Sequence, residues 1–227
     1  QPTTQEVVLN MFRPIFEDYL NSEIERYLPV KFSVVVVDAN QSTTAERLID
    51  SGQLDFLYST AGRMACVEAE YGWIVIASAQ AHFSDKETAA QGSLIYSLMS
   101  NPQIQAMEDF KGKRIGLGNV LSSSYHISRQ VLADNNIDLF KDASQVVFYG
   151  DSYGAQLQDV IHGTLDVGFV PSSTLFEEFP DVVPLLRFHA VIPNASFATE
   201  IHPYPTSTPL TPYFSLAASS AVPWMVK

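Results

Sequence analysis

Apolar residues recur at spacings of three and four from Glu6 to Leu28, where Val8, Met11, Phe12, Ile15, Phe16, Tyr19 and Leu20 would share one helical face. Pro14 lies inside that run and predicts a break or kink, or a helix whose true start is near residue 13. The β-branched stretch Lys31 to Asp38 reads as a strand and residues 39–43 as a polar loop, with Thr43 or Thr44 placed to cap a helix over 45–50. A strand over 55–58, a helix near 63–71 and a strand over 73–79 continue the alternation, which calls for a mostly parallel sheet with helices on both faces. After a loop from Gln80 to Gly92, which holds Asp85, a second cycle begins. Its strands are expected at 93–99, 114–117, 145–148 and 166–170. Its helices are expected at 125–134 and 155–162, with a turn at Asn101-Pro102 and a short amphipathic turn at 107–110. Leu185 to Ile192 is apolar again, and beyond it the proline-rich remainder reads as mostly irregular.

A short phrase occurs twice: Gly52-Gln53-Leu54-Asp55-Phe56 and Gly163-Thr164-Leu165-Asp166-Val167. Each follows a helical pattern and enters an apolar run, as expected of a left-handed glycine cap leading into a buried strand. Both runs end in small hydroxyl residues, Ser59-Thr60 and Ser172-Ser173. Two such units in register predict two similar lobes, the first over 1–92 plus 186–227 and the second, inserted, over 93–185. The chain would cross between them near 90–96 and 184–190.

Composition narrows the function. The 227 residues carry 46% hydrophobic and 17% charged side chains, enough for a sizeable core, and a formal net charge of −12 removes the footprint of a nucleic-acid binder. No apolar run is long enough to span a bilayer, and the N-terminus lacks the basic and apolar regions of a signal peptide. The abrupt end at Trp224-Met225-Val226-Lys227 leads us to expect a domain cut from a longer chain. Cys66 is the only cysteine, which excludes an internal disulfide; on a helical pattern it reads as a small hydrophobe. Asn40 and Asn194 open N-glycosylation triplets that matter only in a secreted eukaryotic chain.

HExxH, GxSxG and CxxC are absent, and the five histidines fall outside metal-ligand spacing, so no metal site, cofactor or catalytic group is expected. Gly116-Leu117-Gly118 sits between a strand and a helix as a dinucleotide fingerprint would, but Leu121 occupies the third glycine's place. Ser122-Ser123-Ser124 is the stronger signal. Three serines at a strand-to-helix turn offer hydroxyls and free backbone N–H groups to an oxyanion such as phosphate, sulfate, phosphonate or carboxylate. One serine would suffice for an ordinary cap, so both readings stand at this point. Tyr58-Ser59-Thr60, Tyr96, Tyr149 to Tyr153 and Ser172 mark other strand ends that two lobes would turn toward one crevice.

Taken together, Tyr96, "MEDFKGKRIGLGNVLSSSY" from Met107 and "VVFYGDSYGAQLQDVIHGTLDVGFV" from Val146 resemble the phosphonate-binding family of type II periplasmic binding proteins. The resemblance spans about residues 30 to 190. It implies an α/β two-lobed type II periplasmic-binding-protein fold, each lobe a mixed, mostly parallel sheet flanked by helices, with two crossover strands as the hinge. It also implies a ligand oxyanion held by Ser122, Ser123 and Ser124, with Tyr58 and Tyr96 as cleft aromatics. Adjoining positions Ser59, Thr60, Tyr125, Ser152, Tyr153 and Ser172 complete the candidate site.

Transporter members carry a histidine where Tyr153 aligns, and acidic residues for a ligand amine where this chain has Pro171-Ser172-Ser173; both departures argue against an aminoalkyl phosphonate. "HPYPTSTPLTPYFSLAASSAVP" and "STAGRMACVEAEYG" are similar to segments of tetrathionate-sensor-type membrane kinases. The resemblance thus implies a non-enzymatic extracytoplasmic sensor domain binding a small anionic molecule. Membrane attachment would come through segments outside this chain, no nucleic acid would be a partner, and a homodimer stays open. The alternatives are a free-standing solute-binding protein of a phosphonate-type ABC transporter, and an enzyme on the same fold.

Overall fold

Both copies of the repeated phrase do begin as helix caps. Gly52 (φ +65°) follows helix α3 (Ser42–Asp50), and Gly163 (φ +73°) follows helix α7 (Tyr153–Ile161). In each the backbone folds back on the last turn: Gln53 N–H donates to Leu48 O at 2.9 Å, and Thr164 N–H to Asp159 O at 2.9 Å. The second copy is also clamped. Arg114 forms a two-pronged pair with Asp166, Nε–Oδ2 and Nη2–Oδ1 both at 2.9 Å, and its Nη2 donates to Gly163 O at 2.8 Å. That pair draws the Asp166 carboxyl below its usual value and fixes the register of the two strands it joins.

The computed structural model describes residues 4–24, 27, 31–34, 42–83, 86–192, 204–212 and 214–219. The chain divides into two compact units, Gln1–Asp55 and Phe56–Lys227. In the first, helix α1 (Thr4–Phe12) passes through a π-helical stretch at Arg13–Asp18 into helix α2 (Tyr19–Ile24), and α3 comes later. Pro14 therefore does not break the helix. The wider π turn, in which Tyr19 N–H donates to Pro14 O, accommodates the ring and the missing donor. The expected strand at 31–38 does not form over 31–34. Phe32 N–H is taken by Asn21 Oδ1 at 2.7 Å and Val34 N–H by Glu17 Oε2 at 2.9 Å, which leaves no donors at those positions for a neighbouring strand. Residues 35–38, both glycosylation asparagines (Asn40 and Asn194), Asp85 and the final segment lie outside the described residues.

The second unit holds two main sheets. Strands β1 (Phe56–Thr60) and β2 (Ile74–Ser78) flank a central β12 (Phe214–Ala218), and helix α4 (Ala61–Tyr71) connects β1 to β2. Both pairings to β12 are antiparallel. This corrects the irregular tail: the proline-rich segment carries the middle strand of a sheet. The expected loop over 80–92 is also partly built, as a hairpin of β3 (Ala81–Phe83) and β4 (Lys86–Thr88), followed by β5 (Ala90–Gln91) paired with β11 (Thr211–Pro212).

The larger sheet has the order β10-β6-β9-β7-β8, from β6 (Ser93–Leu98), β7 (Arg114–Leu117), β8 (Gln145–Phe148), β9 (Val167–Pro171) and β10 (Leu186–His189). It is mixed rather than mostly parallel: β7 runs parallel to β8 and β9, whereas β6 runs antiparallel to β9 and β10. Strand β6 is buried on both faces because it parts two hydrophobic cores. Ile95, Ile115, Leu117, Val167 and Phe169 point to one, with helices α5 (Ser123–Asp134) and α6 (Leu139–Asp142). Leu94, Tyr96 and Val170 point to the other, with α7 and helix α8 (Ser172–Glu178).

The hydroxyl-rich tail finishes the edge of β6, where Ser207 Oγ accepts from Ile95 N at 3.1 Å and Thr208 Oγ1 from Ser93 N at 2.9 Å. His189, 4% exposed, lies in this sheet with Nε2 at 2.8 Å from Ser97 Oγ and its ring edge-on to Phe110. Burial, reinforced by the Arg187 charge and partly offset by Asp109, pushes its imidazole down to about 4. The folded chain thus holds His189 neutral, whereas the unfolded chain binds a proton near its ordinary value of 6.5. Stability is expected to fall as pH drops from about 6.5 toward 4 and to gain nothing from this group above 6.5. Urea midpoints across that range should show a shallower slope for His189→Gln; an unchanged slope would clear His189 of the effect.

Candidate functional site

Glycines of the larger sheet decide where its tyrosines go. Gly116 and Gly118, which the sequence offered as a weak nucleotide fingerprint, expose bare backbone on the α7 side. A Cβ on Gly118 would stand 2.8 Å from Tyr153 Cε1, and one on Gly116 would stand 3.2 Å from Tyr149 Cε2. Gly168 in the same way receives Tyr96. A tyrosine seated on glycine gains close ring-to-backbone packing that any side chain at the glycine would prevent. Tyr153, seated on Gly118, brings its hydroxyl to the start of α5.

That start is formed by the turn after β7. Ser122 is the cap residue. Its hydroxyl donates to Asn119 O at 2.6 Å and accepts from Tyr125 N at 3.2 Å. Ser124 Oγ lies 2.9 Å from Ser122 Oγ, and the two serines act on the Tyr153 phenol, drawing it down against the effect of burial. Because the Ser122 proton is committed to Asn119 O, the serine pair runs from Ser124 as donor to Ser122 as acceptor. Burial raises the Tyr153 phenol above its usual value and so keeps the proton in place. The first-turn N–H groups of Ser123 and Ser124 have no carbonyl one turn back to bond, and the helix dipole adds positive potential there. Such a turn can cradle an oxyanion with its two orphan amides, and with Ser124 once that hydroxyl turns its proton away from Ser122 Oγ.

Ser123 points elsewhere. It is 2% exposed, and its Oγ accepts from Gly62 N, at the start of α4, at 3.1 Å. Thr60 Oγ1, at the end of β1, donates to Leu121 O at 2.7 Å. The two strand-to-helix turns therefore meet directly, with His126 beside them. Burial lowers the His126 imidazole below its ordinary value, the Arg129 charge adds to that, and a hydrogen bond to Val120 O partly offsets it.

Of the eleven residues expected at the site, Ser122, Ser123, Ser124, Thr60 and Tyr153 come together here. Tyr58 and Ser59 lie half-buried on β1, where Tyr58 stacks on Phe214 at 5.4 Å. Ser152 caps α7 by position but makes no side-chain cap bond, and it is exposed.

Three were expected at the ligand and are buried in contacts of their own. The Tyr96 ring is 0% exposed with its hydroxyl donating to Gln156 Oε1 at 2.8 Å. Tyr125 belongs to one hydrophobic core, with its ring tilted against the exposed Phe148 at 6.0 Å. Ser172 is buried with its hydroxyl donating to Gly92 O at 3.1 Å. The physical reason is shared: each side chain completes a contact between segments distant in sequence.

Sequence reasoning missed Asn119, which ties the turn through Leu121 N at 2.9 Å and faces Asp151 at 3.4 Å. It also missed Gly62, and it read Gly118 as a possible phosphate glycine rather than a tyrosine seat. Among the described residues no cluster of His, Cys, Asp or Glu could hold a metal ion, and no helix is long and apolar enough to cross a membrane.

Residues 2–197 match the family described as ABC transporter, phosphonate, periplasmic substrate-binding protein. The chain belongs to that family. No curated protein matches it. Among solved structures it is similar to XAC2383 from Xanthomonas citri bound to ATP, with a TM-score of 0.67, 14% identity, and 92% of this chain covering 73% of that one. It is also similar to a binding protein component of an ABC phosphonate transporter from Pseudomonas aeruginosa, with a TM-score of 0.58, 17% identity and coverages of 97% and 66%. A third is PhnD1 from Prochlorococcus marinus in complex with methylphosphonate, with a TM-score of 0.56, 15% identity and coverages of 97% and 74%. At these identities the likeness carries the fold: the periplasmic-binding-protein family is a mixed α/β architecture of sheets and helices, as seen here.

Proposed function

We propose that this member of the phosphonate-binding family is an extracytoplasmic solute-binding protein that holds a small oxyanion at the start of α5 and delivers it to an ABC transporter. The observation that carries the reading is the Ser122–Ser124 hydroxyl pair beside the Ser123 and Ser124 amides, in a chain matching this family over residues 2–197. The cleft would lie between a lobe of residues 1–92 with 186–227 and a lobe of residues 93–185. The sensor reading drew on two sequence segments alone, and the family match favours the transporter-type alternative. A phosphonate or similar tetrahedral oxyanion without a cationic tail fits best. The position after β9 that would present an acid to an amine instead opens α8 with the buried Ser172.

A thermal-shift panel of methylphosphonate, phosphate, sulfate and 2-aminoethylphosphonate tests this. At about a hundred times its dissociation constant, a ligand stabilises by about 2.7 kcal/mol, a rise of about 2–4 °C per kcal/mol for a chain of this size. A rise with one of the first three, and a weaker one with the aminated compound, is the expected result. No rise with any of them at millimolar concentration would overturn the oxyanion assignment.

A further inference from the structure

Gly62 has a helical position and no positive φ, so the backbone conformation does not require glycine there. The requirement is proximity. A Cβ at 62 would lie 2.9 Å from His126 Cδ2, 3.2 Å from Leu121 O and 3.2 Å from Ser123 N. Two of those three atoms are backbone, and they belong to the turn that begins α5. Only a bare Cα lets the Gly62 N–H reach Ser123 Oγ at 3.1 Å while Thr60 Oγ1 reaches Leu121 O at 2.7 Å. The partners in each pair are 61 residues apart in sequence, so the contact joins two separately built turns.

We infer that Gly62 is a positioning residue and that these two hydrogen bonds form a latch, which holds the β1–α4 turn against the β7–α5 turn by protein contacts alone. The inference rests on the proposed cleft between those turns. It adds that closure has a contribution independent of the ligand, set by the missing side chain at 62. Ser123, whose hydroxyl the sequence assigned to the ligand, serves the latch, and the oxyanion is left to Ser122, Ser124, Tyr153 and the first-turn amides. Latch and cradle share one turn. An anion bound at α5 would therefore hold the latch shut, and an open latch would loosen the cradle.

The test is amide hydrogen exchange with mass spectrometry on the whole chain with no anion added, comparing wild type, Gly62→Ala and Thr60→Val. Alanine favours helix over glycine, so its local effect would be to slow exchange in α4. The latch predicts the opposite: at least tenfold faster exchange in peptides covering both 59–64 and 120–126, with the distant strands β8 and β9 unchanged. Thr60→Val, which removes one latch bond and adds no bulk, should speed the same two segments by a smaller factor. Unchanged or slower exchange at 120–126 in Gly62→Ala would overturn the latch. Should Gly62→Ala lose its fold, the Thr60→Val result decides alone. Because no ligand enters, a failed latch and a failed oxyanion assignment give separate results.

Discussion

Gly168→Ala is expected to lower the free energy of unfolding by about 3–5 kcal/mol, a large fraction of the roughly 5–15 kcal/mol that holds a domain folded. The added Cβ would lie 2.3 Å from Tyr96 Cζ and 2.4 Å from its hydroxyl oxygen. Tyr96 faces Gly168 across the β6–β9 pair and has nowhere to move. Its ring is 0% exposed, and its hydroxyl proton goes to Gln156 Oε1, which also accepts from Phe169 N at 3.2 Å.

Overpacking a filled core costs about 1–3 kcal/mol. Displacing the phenol adds about 1–3 kcal/mol for polar groups left buried without partners. Gln156 has little reserve, because its Nε2 is already buried with no hydrogen-bond partner. Urea unfolding measures the loss, and Gly163→Ala supplies the contrast. Gly163 has φ +73°, but a Cβ added there would meet no atom within 4 Å, so its cost is conformational strain of about 1–2 kcal/mol. In a Tyr96→Leu background the penalty at Gly168 should shrink by at least about 1 kcal/mol. A Gly168→Ala protein within about 1 kcal/mol of wild type would refute this account of the tyrosine seat.

The second large effect is on binding. Ser122→Ala combined with Ser124→Ala should weaken binding of the best anion from the thermal-shift panel by at least about a hundredfold. Hydrogen bonds to a charged group contribute about 1.5–3 kcal/mol each, and every 1.4 kcal/mol is a factor of ten. The pair also acts on the Tyr153 hydroxyl, drawing its phenol down against the effect of burial. Stability should fall by only about 1 kcal/mol, the usual consequence of losing a helix cap. Tyr153→Phe leaves the ring on Gly118 and removes only the hydroxyl, so it should weaken binding about tenfold with little change in stability. Ser152→Ala, at an exposed hydroxyl without a cap bond, should leave both alone. Isothermal titration calorimetry settles the comparison. An affinity unchanged in the double variant would move the ligand away from α5.

The different fates of the predicted elements have a common cause. Strands at 114–117 and 145–148 formed over those very residues, and α5 begins one residue after its serine cap. Local chemistry specifies such elements: β-branched runs, a side-chain oxygen that accepts a first-turn N–H, a glycine free to take positive φ. The serine cap was legible for the same reason, since a strand-to-helix turn creates its orphan amides within a few residues. Family membership was legible too, from the ensemble of such turns along the chain.

What the sequence by itself determined, then, is much of the strand and helix alternation between residues 42 and 189, the caps at Gly52 and Gly163, and the serine cap that opens α5. The tertiary structure alone decided that Phe214–Ala218 is a central strand, that Tyr96, Tyr125 and Ser172 are core, and that Gly62, Gly118 and Gly168 are bare so that another segment can touch them. Each of those outcomes depends on a partner far away in the chain. No periodicity in a local window encodes which distant backbone will come within 3 Å of a glycine.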